Sequence, residues 1–103
     1  MTLEYIKDMV ASIDPEARRY YTPVEGNAFT VWQEYAEIGL HADDVTEEGW
    51  AFEIDRYTKD ADDPIATAIR ERLRQEAGIT YTYQIVYEPE SGYIRHIFDC
   101  EGC

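Results

Sequence analysis

Carboxylates outnumber cationic side chains by 22 to nine in this sequence, so acid groups are where chemistry would first be sought. Two compact clusters stand out, Asp60 with Asp62 and Asp63, and His41 with Asp43 and Asp44. A hard cation wants several oxygens from one loop, yet neither cluster has the spacing, the central glycine or the closing glutamate of a calcium-binding hand. Asp63 followed by Pro64 is explained by helix capping. No bound metal is therefore expected at either place. Cys100 and Cys103 form a CxxC pair, but a structural zinc site needs four ligands, and the two histidines, His41 and His96, stand far apart. A redox-active CxxC usually opens a helix, which lowers the thiol pKa, whereas this one closes the sequence. A bridge between residues so near one another would restrict the unfolded chain very little, so two reduced thiols on a frayed tail are expected.

Nucleophilic chemistry has equally little to work with. Serine occurs as Ser12 and Ser91, neither in a nucleophile-elbow context. No carboxylate pair stands out from the solvated background for acid and base work, and no glycine-rich phosphate loop is present. The expectation is a non-enzymatic protein without a cofactor. The net charge of −13, with only nine lysines and arginines, argues against sequence-specific nucleic-acid binding, which neutralises phosphates with cations. The same excess favours basic partners and repels DNA passing close to the surface. The nine tyrosines are more informative. Tyr81, Tyr83 and Tyr87 share one face of a strand, where a period-2 stripe is first of all a core face under a helix. The competing reading is a recognition surface, because the ring is rigid and amphipathic.

These residues must be positioned by elements that the pattern makes visible. Leu3, Ile6, Val10 and Ile13 repeat at helical spacing, with Thr2 as the cap, Glu4 in the first turn, and Asp14 followed by Pro15 as the stop. Residues 15–28, with two prolines and Gly26, read as a connection holding one strand-like turn. FTVWQEYA, residues 29–36, reads as a strand with Phe29, Val31 and Tyr35 on one side and Thr30, Trp32 and Glu34 on the other. The acidic loop GLHADDVTEEG then leads to WAFEIDRYT, where Trp50, Phe52 and Ile54 face in and Ala51, Glu53 and Asp55 face out. So short a connection makes these two strands antiparallel. KDADDP opens a second helix with Asp63 as cap and Pro64 first, and Ile65, Ile69 and Leu73 mark its buried side. Gly78 is placed as its left-handed C-terminal cap. The outer side carries Arg70, Glu71, Arg72, Arg74 and Glu76, a local concentration of basic residues. ITYTYQIVY, the turn EPESG and YIRHIFDC make a closing hairpin.

The predicted architecture is one α+β domain over residues 1–103, in the order α-β-β-α-β-β, with about four antiparallel strands and both helices on one face. At 103 residues and 45% apolar content, one core can be stable without disulfides or metal. The opening MTLEYIKDMVASID carries acids and no apolar run, so neither a signal peptide nor a membrane span is expected, and a cytoplasmic protein is.

VWQEYAE, HADD, a strand ending in IDRYTKDADDP before a helix, and SGYIRHIFDC, in that order, together resemble small head- and tail-region proteins of phages and prophages. The likeness is to the tail-completion or tail-terminator family, and it spans the chain from Phe29 onward. It implies a structural protein that forms a ring, commonly a hexamer, on the finished end of the tail tube and presents a surface to the head. The implied partners are tail-tube and head-tail connector proteins together with further copies of the chain, within the bacterial host cytoplasm or the virion. DNA would pass through the ring, and an electronegative lumen lets a polyanion slide without sticking. In such a ring the acidic loop, through His41, Asp43, Asp44, Glu47 and Glu48, and the helix arginines Arg70 and Arg74 are the expected interface residues. The main rival is a DNA-mimic inhibitor of phage origin, in which ordered carboxylates imitate phosphates. A small enzyme or metal-binding domain is the second.

Overall fold

A computed structural model describes the chain from Met1 to Cys103 except Pro23, Glu25, Asp43 and Asp44, and gives residues 40–46 without side-chain detail. Helix α1 spans Leu3–Ile13. The Thr2 hydroxyl accepts the Tyr5 N–H at 3.0 Å, and the Asp14 N–H closes the last turn on the Val10 carbonyl. The helix stops there because the residue before proline is driven out of the helical region. Helix α2 spans Pro64–Gln75, with Asp63 capping the Ala66 N–H. Both helices therefore begin and end where capping chemistry places them, except at one glycine. Gly78 is not a left-handed cap: α2 ends on Glu76 in extended backbone, and the described glycines with positive φ are Gly26 and Gly92. What Gly78 supplies is close approach, since a Cβ there would lie 2.5 Å from the Cys103 carbonyl oxygen.

The strands are β1 (Arg18–Arg19), β2 (Ala28–Glu37), β3 (Leu40–Ala42), β4 (Val45–Glu47), β5 (Trp50–Thr58), β6 (Ile79–Glu88) and β7 (Tyr93–Gly102). Five of them form one sheet in the order β1-β2-β5-β7-β6. Two antiparallel pairs, β2 with β5 and β6 with β7, meet along an antiparallel seam between β5 and β7. The sheet differs from the expected four antiparallel strands by β1, which pairs parallel to β2 through Arg18 opposite Val31 and Arg19 opposite Trp32. Two residues carry no periodicity, which is why the pattern yields only a turn there. The acidic loop likewise contains a small separate hairpin, β3 against β4.

Register decides the faces. Trp32, Ile54, Phe98 and Tyr83 are successive partners across β2, β5, β7 and β6, and Phe52 faces Cys100 beside them. These side chains share a core with Ile6, Met9 and Val10 of α1 and Ile69 and Leu73 of α2, so both helices cover the same side of the sheet. Each fully buried Phe or Ile in this layer contributes about 1.5–3 kcal/mol relative to exposure. Strand β5 is central enough to be buried on its other side too, where Ala51 and Asp55 are covered by neighbouring side chains, not exposed as alternation alone suggests. The C-terminal residues are no frayed tail either: β7 continues through Gly102, Cys100 sits in the core, and the Cys103 N–H donates to the Gly78 carbonyl. Both cysteines are free thiols, and burial pushes that of Cys100 up, so it is inert as a nucleophile.

Candidate functional site

The residues that the sequence marks out are dispersed. The backbone of His41 lies in β3, Glu47 and Glu48 are exposed at the far end of that hairpin, and Asp43 and Asp44 lie outside the described residues. The Glu48 carbonyl accepts the Met1 ammonium, which ties this end of the hairpin to the start of the chain. Arg70 and Arg74 stand on α2, and among the described residues no ion pair joins them to the acidic hairpin. Arg70 lies over the Tyr83 ring, 5.6 Å from its centroid, and Arg74 approaches Glu71 at 3.8 Å. Arg72 turns toward α1 instead, bonding Glu76 at 2.8 Å and the Ser12 hydroxyl at 3.2 Å, so the three arginines do not make one patch. The aspartates before α2 serve the turn: Asp60 accepts the Asp62 N–H, and Asp63 is taken by its cap and by Arg56. Among the described residues, no three His, Cys, Asp or Glu side chains are grouped to hold a metal ion.

Beneath the helices, β5 and the ends of α1 and α2 enclose a cation that the sequence reading passed over. Arg56 bonds both Asp63 carboxylate oxygens at 2.9 and 3.2 Å, the Thr30 hydroxyl at 3.2 Å, and lies 3.5 Å from Asp14. That partnership holds Asp63 below the usual carboxylate range against the opposing effect of burial. A polar cleft of about 720 Å³ opens onto Arg56, but all three of its nitrogens are engaged, so the network reads as a clamp joining both helices to the sheet. Nearby, His96 Nδ1 pairs with the Tyr83 hydroxyl at 2.7 Å, while its buried Nε2 has no hydrogen-bond partner among the described residues. Burial pushes this imidazole toward its neutral form.

The side of the sheet that no helix covers is chemically richer. Here Glu53 and Asp55 stand two residues apart on β5, beside Arg95 and Asp99 of β7. Arg95 bonds Asp55 at 2.9 Å, reaches Glu53 only at 3.8 Å, and lies over the Tyr57 ring. The second carboxylate oxygen of Asp55 is buried without a fixed partner among the described residues. Glu53 is pushed up to about 7, first by burial and then by its hydrogen bond to Asp55. The proton it retains supplies the partner that Asp55 otherwise lacks. Next to this pair the Tyr35 hydroxyl donates to Asp99 at 2.6 Å, which raises the phenol to about 12. The arrangement lies on the open face of the sheet.

At one end of the same face the aromatic residues gather. Phe29 and Tyr57 stack at 4.7 Å between centroids, Tyr93 meets both edge-on, and Val31 lies alongside. They floor a groove of about 440 Å³ whose rim includes Tyr20, Tyr21 and Val24. The rim is exposed to a degree unusual for such side chains, with Tyr21 at 76% and Val24 at 72%. Tyr20 on that rim is tied to β2. Glu34 pairs with the Arg19 guanidinium and accepts the Tyr20 hydroxyl, and Arg19 lies over the Trp32 ring. Tyr20 itself adopts φ of +70°, a left-handed conformation that non-glycine residues seldom occupy and that collects at binding sites. The sequence signal was the run Arg18, Arg19, Tyr20, Tyr21, which periodicity cannot interpret because it forms almost no regular structure.

The tyrosine stripe of β6 divides. Tyr81 and Tyr83 pack against the core as expected for a face under a helix, whereas Tyr87 is exposed. No described helix is long and apolar enough to cross a membrane. Set beside known proteins, the chain matches no family model and no curated sequence.

Proposed function

We propose that this chain is a non-enzymatic structural protein that acts by docking onto other proteins, and that its role is that of a phage or prophage tail-completion protein. The observation that carries the docking reading is the aromatic groove. Rigid rings presented around an apolar floor are the composition and shape of a protein-binding anchor site. The tail role adds the sequence resemblance, and with it self-association into a ring and contact with tail-tube and connector proteins. The acidic excess suits a ring through which DNA passes.

The test is the mass in solution by light scattering over a range of protein concentration and salt, since self-repulsion at this charge weakens as salt screens it. A salt-favoured closed oligomer is expected, and Tyr21→Ala should abolish it while leaving the thermal midpoint unchanged. A strict monomer under all conditions counts against the ring. It brings forward the DNA-mimic reading, favoured by Glu53, Asp55, Asp99 and Glu101 on one sheet face. Arg95, bonded among those acids, interrupts any phosphate-like ladder and places that reading second.

A further inference from the structure

The two long edges of the sheet are finished differently. On one side β1 covers part of β2, and β2 shifts register between Glu34 and Ala36, a bulge of the kind that discourages further pairing. On the other side β6 runs for ten residues, Ile79–Glu88, in unbroken register with β7 and with no bulge. Every second residue of an antiparallel strand directs its N–H and C=O away from its partner, so this edge presents a row of backbone groups. Between described residues, the Ile79 N–H at the start of that outer row donates to the Glu76 carbonyl at 3.4 Å, and no backbone hydrogen bond fills the row from Tyr81 to Tyr87. The strand carries none of the usual protective features either. It has no lysine and no proline, and nine of its ten residues are uncharged. Ile85 and Tyr87, 60% and 62% exposed, leave an apolar end.

We propose that the outer edge of β6 accepts an extended, lysine- or arginine-rich segment of a partner protein as a sixth strand. The proposal rests on the docking reading above. The backbone row provides affinity for any extended chain, and the charges select which one. On the uncovered face an added strand would lie beside Thr80, Thr82 and Val86, within reach of Asp99 and Glu101 on β7 and of Glu88. A second copy of the chain, itself at −13, is the less suited occupant, and a basic segment is the complement.

The probe is a synthetic peptide matching β6 in length, alternating valine with lysine, and compared with its valine–glutamate counterpart. Amide hydrogen exchange is read along the whole chain at low salt. The lysine peptide should slow exchange in β6 by about tenfold and the glutamate peptide should not. Thr82→Lys, which places a cation opposite Asp99 on an exposed position, should weaken the lysine peptide by about tenfold without changing the thermal midpoint. Equal protection by both peptides, or peptide protection elsewhere than β6, overturns the assignment. So does β6 protection that grows with protein concentration alone, since the occupant is then a second copy. If the peptide leaves β6 unprotected while Tyr21→Ala still abolishes self-association, the edge assignment falls and the docking reading stands.

Discussion

Glu53 is placed to titrate near neutral pH, at about 7, and its effect on stability has a definite sign. Its native value of about 7 lies above the ordinary 4.5, so the folded protein keeps a proton that the unfolded chain releases. The stabilisation is complete below about pH 4.5 and drains away as pH rises through about 7. His96 slopes the other way, because burial lowers its native value and stability is lost as pH falls through the unfolded 6.5. Glu53→Gln should therefore match the parent near about pH 5 and exceed it near about pH 9, with the His96 contribution common to both chains. Urea midpoints across that range test this, and parallel curves would show that Glu53 does not hold its proton. None of this was legible in the sequence. The alternation of β5 correctly set Glu53 and Asp55 on the face away from Phe52 and Ile54, but their pairing depends on Arg95 and Asp99, brought in from a strand far along the chain.

Among the elements, α2 shows what local pattern can and cannot reveal. The Asp-Pro start identified the cap and the first helical residue correctly, since capping is a property of a few neighbouring residues. The same aspartate also neutralises Arg56, and that role depends on β5 passing beneath the helix. The inward stripe Trp50, Phe52, Ile54 continues to Arg56, and a cation on a core face with aspartates at two nearby helix ends is the signal that would have found it. Asp63→Ala should cost the cap, about 1 kcal/mol, and leave a buried arginine short of its main partner, a loss of about 3–5 kcal/mol. Asp63→Ser restores the cap oxygen alone, so chemical denaturation should separate the two terms. Equal stability of the two variants would mean that the cap contributes nothing beyond the ion pair. Elements with strong periodicity, α1, α2, β2, β5, β6 and β7, were legible. The two-residue β1 and the β3–β4 hairpin were not, because strands so short have no period to detect.

For the molecule as a whole, the sequence yields a single α+β unit with both helices on one face, but the aromatic groove escapes it. Tyr20 and Tyr21 come from a connection, Phe29 from β2, Tyr57 from β5 and Tyr93 from β7, and the strand order unites them. That same order sets how the chain reaches its native state. The β2–β5 and β6–β7 pairs each form between neighbours in sequence, whereas the seam joins Thr58 to Ile94 and Trp50 to Gly102 across α2 and all of β6. Closing that loop costs entropy before any contact rewards it, so docking of two preformed halves should limit the folding rate, on a timescale of about milliseconds to seconds. Ile54→Val, at the seam, should slow refolding, and Ile6→Val, on α1, should mainly hasten unfolding, each by way of a loss of about 0.5–1.5 kcal/mol. Stopped-flow fluorescence from Trp32 and Trp50 can follow both arms, and the reverse assignment of the two variants would place the nucleus at the helix. Until the seam closes, each half exposes an additional bare strand edge, so the chain is most open to pairing with a wrong neighbour before β5 and β7 meet.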